Sequence, residues 1–274
     1  MKRFITGILL ACIIFSILLL EMFTVGWVFF LIGCGFALYE YYTMVLSPGE
    51  MGYKKISIFL GLLILASSYG GSLKIIATVL TLVIIALCII VLVRYTDLQT
   101  KTPDQNVAGF LARVVFGFIY IGFFASHVML TFKLPSGAYW LVILFLITGM
   151  SDTCAYYTGH AFGKHKLCPA ISPGKTVEGL LGGIVGATAA AIALAAFLFP
   201  HMHFLTVGII AVLTTCMGVI GDLLESVIKR SMHVKDSGSA LPGHGGLLDR
   251  IDSLLATMPV FLAGLNWWIY PGVI

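Results

Sequence analysis

Charged residues are scarce in this sequence. Only 10% of its 274 residues are Asp, Glu, Lys or Arg, whereas 59% are hydrophobic. A water-soluble domain carries about 25% charged residues, so a soluble globular protein is excluded. The apolar residues also form runs long enough to cross a bilayer, which takes roughly 17–25 residues per helix. The sequence therefore predicts an integral membrane protein.

Regular cysteine patterns and internal repeats are also lacking, and we expect no cleavable leader. The six cysteines form no CxxC pair and no regular Cys/His spacing, so neither a disulfide framework nor a zinc site is expected. The apolar run after Lys2 and Arg3 has no cleavage site before Glu21, and we interpret it as a retained first span. The absence of a repeat argues against a transporter built from duplicated halves.

The apolar runs predict an all-α, polytopic transmembrane bundle of about nine spans. Their bounds are set by polar breaks and are good to a few residues. The predicted spans are 4–20, 22–40, 56–69, 74–94, 108–131, 138–158, 178–199, 204–224 and 251–272.

The distribution of Lys and Arg predicts a cytoplasmic N-terminus. With that orientation, 13 of the 16 basic residues face the cytoplasm, Lys74 and Lys133 lie outside, and Arg113 lies within the fifth span. Such an asymmetry is the positive-inside signal. The predicted cytoplasmic set is Lys2, Arg3, Lys54, Lys55, Arg94, Lys101, Lys164, Lys166, Lys175, Lys229, Arg230, Lys235 and Arg250.

Polar residues are concentrated in the second half of the chain. We therefore divide it into a lipid-facing scaffold, residues 1–131, and a catalytic region, residues 132–274, with cytoplasmic loops 159–177 and 222–252. The glycines and alanines of the seventh span permit close helix packing, either within the chain or in a homodimer.

The first polar stretch runs from residue 151 to 179. An Asp within a span usually faces a partner or a water-filled cavity, so Asp152 is a candidate site residue, with Tyr156 beside it. Pro173-Gly174 predicts a turn that leaves Lys175 free for a phosphate, and Thr176 can cap the next helix. The segment is not a P-loop, because residue 169 is Pro where that motif needs Gly.

The second polar stretch, residues 221–252, is the more specific. If the eighth span continues as a helix, Asp222, Glu225 and Lys229 share one face, and Ser226 and Arg230 lie on the adjoining face. Acids at two helix ends can hold Mg²⁺, which accepts one or two carboxylates and completes its shell with water and phosphate oxygens. This composition suits a nucleoside triphosphate with Mg²⁺. The stretch ends with Lys235, His244, Gly245, Gly246, Asp249, Arg250 and Asp252.

These residues resemble the CDP-diacylglycerol synthase (phosphatidate cytidylyltransferase) family. The similarity runs from Ser226 to Asp252, about a tenth of the chain, and the segment 172–179 resembles the family's other polar stretch. Gly174 departs from that pattern, in which a basic residue is common, and this should tune phosphate affinity. The resemblance implies transfer of a cytidylyl group from CTP to phosphatidate, with CDP-diacylglycerol and pyrophosphate as products. It also implies a divalent metal, Mg²⁺, and leaves open whether a second cation is needed.

The resemblance and the residue chemistry together suggest roles for the candidates. Asp222 and Asp249 would be the principal Mg²⁺ ligands, with Glu225 and Asp252 as lesser ones. The catalytic set would be Asp222, Lys229, Arg230, Lys235, His244, Asp249 and Arg250. The substrate-binding set would be Asp152, Tyr156, Ser172, Lys175, Thr176, Glu178, Ser226, Gly245 and Gly246.

The expected partners are CTP, phosphatidate and membrane lipids, with no nucleic acid. The expected location is a bacterial plasma membrane, with the active site facing the cytoplasm. Two other functions stay open. One is a CTP-dependent kinase of a polyprenol or another lipid, and the other is a lipid or anion transporter that uses Asp152 and Arg113 as intramembrane charges.

Overall fold

The computed structural model describes residues 2–101, 107–238 and 245–273, with side chains from residue 11 onward. Within these ranges the chain is a bundle of helices with one small antiparallel hairpin. The helices are α1 (Lys2–Leu19), α2 (Phe23–Val45), α3 (Lys54–Ser67), α4 (Leu73–Val93), α5 (Tyr95–Lys101), α6 (Val107–Gly117), α7 (Phe124–Phe132), α8 (Gly137–Phe162), α9 (Val177–Leu198), α10 (Phe204–Ser231) and α11 (Leu248–Trp268). The hairpin consists of β1 (Lys166–Cys168) and β2 (Ser172–Thr176).

Several long helices have the length and composition of membrane spans. Among the described residues seven segments qualify: Phe23–Val45, Pro48–Gly70, Leu73–Val93, Val107–Phe132, Gly137–Phe162, Val177–Leu198 and Phe204–Ser231. An apolar chain in lipid must satisfy its backbone groups internally, which a helix does. The predicted first and ninth spans correspond to α1 and α11, which are not among the seven. The polytopic helical fold is confirmed, and the count of nine stays a prediction.

The contacts at the two ends of the bundle agree with the predicted up-and-down order. At one end the hydroxyl of Tyr270 donates to the carbonyl of Pro135 at 2.9 Å, and both were predicted outside. At the other end the amide of Leu248 donates to the carboxylate of Glu40, and both were predicted inside. Residues predicted on the same side therefore lie together. The orientation itself stays a prediction.

Helices α8 and α9 pack closely through small residues. A methyl group at Gly183 would lie 3.0 Å from the carbonyl of Ser151, and one at Gly179 would lie 2.9 Å from that of Ala155. Small residues let helix backbones approach in this way. The glycine face of the seventh predicted span is thus used within the chain, against α8.

The two predicted loops are shorter than expected. Helix α10 extends to Ser231, and α11 already begins at Leu248, so much of 222–252 is helical. Pro173 and Gly174 lie in strand β2, so the predicted turn at this position is wrong. Pro is compatible with an edge strand because its missing N–H need not face a partner.

A π-helical segment, Phe118–Phe123, interrupts the fifth predicted span between α6 and α7. Segments of this kind occur often at functional sites. Within it Tyr120 is almost fully buried, at 1% exposure. Its hydroxyl reaches α10 and α11, in the second half of the chain, as described below.

Candidate active site

A pocket of about 570 Å³ opens where α8 ends and α9 begins, against the C-terminal half of α10. It brings the two polar stretches of the sequence together. The ammonium of Lys175, on β2, lies 2.6 Å from Oδ2 of Asp222, on α10. Asp152, on α8, lines the same pocket. We call this the polar pocket. Of the predicted site residues it contains Asp152, Tyr156, Ser172, Lys175, Thr176 and Asp222.

Local chemistry explains how the chain enters α9 beside the pocket. The hydroxyl of Thr176 accepts a hydrogen bond from the amide of Gly179 at 3.1 Å, so Thr176 is the N-cap of α9. The cap satisfies one of the amides that a helix leaves open at its start. The predicted cap is confirmed. It places the positive end of the α9 dipole next to Lys175, where both favour an anion.

An aromatic pair forms the wall of the pocket on α8. The rings of Tyr156 and His160 are stacked, with centroids 6.1 Å apart and planes 5° from parallel. Tyr156 is 68% exposed. Both residues line the polar pocket. They present flat, accessible rings to anything that enters it.

Glu178 was predicted to bind substrate, but its carboxylate points to the hairpin instead. Its oxygens accept hydrogen bonds from the backbone amides of Lys164 and His165 at 3.1 and 3.2 Å. Oε1 also lies 2.6 Å from the ring nitrogen of His165. Glu178 therefore fixes the entry to β1, and it does not line the pocket.

A second group of charges continues from the pocket along α10. The ammonium of Lys229 lies 2.7 Å from Oδ1 of Asp249 and also contacts Oε2 of Glu225. Glu225 is fully buried, and the side chains of Lys229 and Asp249 are 14% and 10% exposed. We call these three residues the ionic cluster. Since Asp222, Glu225 and Lys229 recur at helical spacing on α10, the cluster and the polar pocket share one helix face, as predicted.

Asp249 ties together the chain on either side of residues 239–244. Its carboxylate accepts hydrogen bonds from the amide of Ser237 at 3.0 Å and from that of Gly246 at 2.9 Å. With Lys229 added, both oxygens are in use. Asp222 is the more open of the two predicted principal metal ligands, with 39% of its side chain exposed.

The other predicted acids and the serine lie nearby. Asp252 is buried at 9% exposure, and its Oδ1 accepts from the amide of Ser253 at 2.7 Å. The hydroxyl of Ser226 lies 3.5 Å from Oδ1 of Asp222. Among the described residues, no group of three or more His, Cys, Asp or Glu side chains is arranged to hold a metal ion. Mg²⁺ needs fewer protein ligands than that, because substrate phosphates and water supply the rest.

Three predicted basic residues lie at the surface. Arg230, Lys235 and Arg250 are exposed, and none lines the polar pocket. Gly245 adopts the left-handed conformation, with φ of 81°, which glycine accepts at no steric cost. His244 lies outside the described residues.

Two side chains from the first half of the chain reach the site and were missed. The hydroxyl of Tyr120 donates to the carbonyl of Asp252 at 3.1 Å and lies 3.4 Å from that of Gly221. Oε2 of Glu40 accepts from the amide of Leu248 at 2.9 Å. Glu40 carried a usable signal, because an acid near the end of an apolar run is a functional candidate. Tyr120 carried none, since an aromatic residue in a span is ordinary.

The fold and the site define a class: a polytopic integral membrane protein with a charged pocket at one end of its helices. The chain belongs to the cytidylyltransferase family, which it matches over residues 1–268.

Its individual relatives include two phosphatidate cytidylyltransferases. The chain is 36% identical over 174 residues to a phosphatidate cytidylyltransferase of Staphylococcus haemolyticus, covering 62% of this chain and 64% of the relative. It is 45% identical over 134 residues to that of Haemophilus influenzae, covering 46% and 45%. It is 39% identical over 171 residues to the uncharacterized protein YnbB of Escherichia coli K12, covering 60% and 57%. The chain thus spans less than two thirds of the length of each of these relatives.

Proposed function

We propose that this protein is a phosphatidate cytidylyltransferase, which converts CTP and phosphatidate to CDP-diacylglycerol and pyrophosphate. The observation that carries the proposal is the polar pocket, in which Lys175 and Asp222 form an ion pair beside the ionic cluster. The phosphatidate cytidylyltransferases among its relatives support the reaction type. Most Lys and Arg residues are predicted on the side of the membrane on which the polar pocket lies. This excess supports a site at the cytoplasmic face of a bacterial plasma membrane.

The reaction chemistry asks for charge neutralisation more than for a strong base. A phosphate oxygen of phosphatidate, already ionised, attacks the α-phosphorus of CTP. The new P–O bond forms as the bond between the α-phosphorus and its bridging oxygen to the β-phosphorus breaks, and pyrophosphate leaves with that electron pair. Two anions must be brought together, so catalysis rests on positioning and electrostatic stabilisation. Lys166, Lys175 and the N-terminus of α9 provide positive charge in the pocket.

The pair of Lys175 and Asp222 would be exchanged on substrate binding. In the structure the two side chains neutralise each other, with Nζ of Lys175 2.6 Å from Oδ2 of Asp222. A triphosphate offers Lys175 a more highly charged anion and so frees the Asp222 carboxylate to serve as a ligand of Mg²⁺. When bound, Mg²⁺ would neutralise phosphate charge. The accessible carboxylate of Asp222 fits that ion, since Mg²⁺ takes one or two carboxylates and fills its other positions with water and phosphate oxygens.

The ionic cluster lies further along the same face of α10, where Lys229 would contact the polyphosphate. Lys229 is fixed by Glu225 and Asp249, so its ammonium has a set position at the start of α11. An ammonium held in advance costs no reorganisation when negative charge develops nearby.

The two alternative functions, a CTP-dependent lipid kinase and a lipid or anion transporter, find no comparable support. Arg113, one of the charges that a transporter would use, is paired with Glu50 at 2.6 Å.

The proposal is tested with purified protein in detergent, Mg²⁺ and phosphatidate. Parallel reactions use CTP labelled at the α-phosphorus or at the γ-phosphorus. We expect the α-label in the lipid fraction, with one pyrophosphate released per lipid formed, and no γ-label in lipid. Supplying a polyprenol instead and finding γ-label in the lipid would identify the kinase. No consumption of CTP with either acceptor would contradict both enzyme functions and favour transport.

A further inference from the structure

Glu40 is a buried acid in the half of the chain that otherwise carries little charge. It lies on α2 and is 4% exposed. A carboxylate near a membrane interior is costly unless partners compensate for its lost hydration. Its partners among the described residues come from the catalytic half: Oε2 accepts from the amide of Leu248 at 2.9 Å and lies 3.4 Å from the hydroxyl of Ser237.

These two partners flank the segment between α10 and α11. Ser237 precedes it, and Leu248 follows it as the first residue of α11. Asp249 binds nearly the same two points, the amides of Ser237 and Gly246. Two carboxylates, one local and one from α2, therefore hold both ends of residues 238–247. Glu40 also accepts an N–H of the first turn of α11, where a negative charge is favoured by the helix dipole.

The glycines of the segment are shaped around Glu40. A methyl group at Gly238 would lie 2.7 Å from Oε1, and one at Gly246 would lie 2.7 Å from Oε2. Backbone on both sides of the segment thus packs directly on the carboxylate. Oε1 has no hydrogen-bond partner among the described residues, and Glu40 lines a groove of about 610 Å³. A buried oxygen left without a hydrogen bond costs stability, and such groups call for an explanation.

We propose that Glu40 is a positioning residue for the reaction, acting through Ser237, Leu248 and the start of α11. It holds the two ends of the segment together, so that the ionic cluster meets the triphosphate of CTP in a fixed geometry. The inference rests on the proposed function for its kinetic part. The anchoring itself can be measured without any substrate.

The experiment compares Glu40→Ala and Glu40→Gln with Glu21→Ala. Glu21 is the matched control, an exposed glutamate just before α2. Amide hydrogen exchange is followed in detergent, and steady-state kinetics are measured with CTP and with phosphatidate. Glu40→Ala removes both acceptor oxygens. Glu40→Gln keeps one, which can still accept from Leu248.

We expect Glu40→Ala to speed exchange at Ser237, Gly246 and Leu248, with α3 and α4 unchanged. It should lower kcat/KM for CTP by about tenfold or more, chiefly through KM, and alter KM for phosphatidate by less than about twofold. Glu40→Gln should stay within about threefold of the wild type in both respects. Glu21→Ala should match the wild type.

Three outcomes would overturn the inference: wild-type CTP kinetics in Glu40→Ala, an equal loss in Glu40→Gln and Glu40→Ala, or faster exchange across the whole chain. If Glu40→Ala does not fold, Glu40→Asp takes its place, because it keeps the charge but is one methylene too short to reach both ends. If the wild type itself transfers no cytidylyl group, the proposed function fails. The exchange data then still decide whether Glu40 anchors the segment.

Discussion

The ammonium of Lys229 lies 2.7 Å from Oδ1 of Asp249 and is shared with the carboxylate of Glu225. One mostly buried cation thus faces two acids from different helices. Attraction to two partners compensates for the desolvation of the lysine, and in turn the lysine keeps the two acids from repelling each other. The three charges therefore depend on one another for stability, and they join α10 to the start of α11.

Replacing Lys229 with Met should be strongly destabilising. Breaking a buried ion pair by removing one partner costs about 3–5 kcal/mol, because the remaining charges lose their compensation. Adding Glu225→Gln should recover part of that loss, since it removes one of the uncompensated acids. The free energy of unfolding in mixed micelles measures both effects. Lys55→Met, at an exposed lysine, is the control. A Lys229→Met protein as stable as the control would contradict the account.

Asp222 and Asp97 offer a direct comparison of two lysine–aspartate pairs. Lys175 lies 2.6 Å from Asp222, and Lys101 lies 2.7 Å from Asp97, with the aspartates 39% and 37% exposed. Exposed pairs contribute little to stability, so neither Asp→Asn change should unfold the protein. Asp222→Asn should lower kcat by about a hundredfold or more and raise the Mg²⁺ concentration needed for activity. The reason is that it removes the charged carboxylate proposed to bind Mg²⁺ beside the phosphates.

Asp97→Asn should behave as the wild type in the same Mg²⁺ titration. It lies on α5, away from the polar pocket. Equal activity in the two variants would remove Asp222 from the proposed metal site. Equal loss in both would indicate that the effect is one of folding.

Local sequence signals were enough to predict the helices and one face of the site. The predicted span 74–94 became α4, Leu73–Val93, because lipid forces an apolar run to satisfy its own backbone. The shared face of Asp222, Glu225 and Lys229 follows from helical periodicity alone. Thr176 as N-cap is likewise a local property.

The parts that were missed depend on contacts distant in sequence. Glu40 and Leu248 are separated by 208 residues, and Tyr120 and Asp252 by 132. No periodicity links such positions. The turn predicted at Pro173 failed for a different reason. Pro and Gly favour turns only on average, and pairing of β2 with β1 decided the backbone there.

Gly246→Ala should impair activity by a steric route. The added methyl group would overlap the hydroxyl of Ser237 and lie 2.9 Å from the backbone nitrogen of Gly238. Backbone cannot yield as a flexible side chain can. We expect kcat/KM for CTP to fall by about tenfold or more. Gly52→Ala, where a methyl group meets nothing within 4 Å, should leave the kinetics unchanged. A Gly246→Ala enzyme with full activity would show that the segment tolerates displacement.

Tyr120 is the second residue from the first half of the chain that reaches the site. Tyr120→Phe should separate the effect of its hydroxyl on activity from the effect of its ring on packing. The change keeps the buried ring and removes the hydroxyl that donates to the carbonyl of Asp252 at 3.1 Å. Losing a hydrogen bond of this kind costs about 0.5–1.5 kcal/mol, because the carbonyl of Asp252 lies within α11 and keeps its bond inside that helix. That hydroxyl also lies 3.4 Å from the carbonyl of Gly221. Its removal therefore deletes a contact that links α10 to α11. Activity should fall several-fold and Mg²⁺ dependence should shift. Tyr53→Phe is the matched control, losing a bond of 2.9 Å to Asp97 far from the pocket. If both variants lose stability equally and neither changes Mg²⁺ dependence, Tyr120 serves the fold alone.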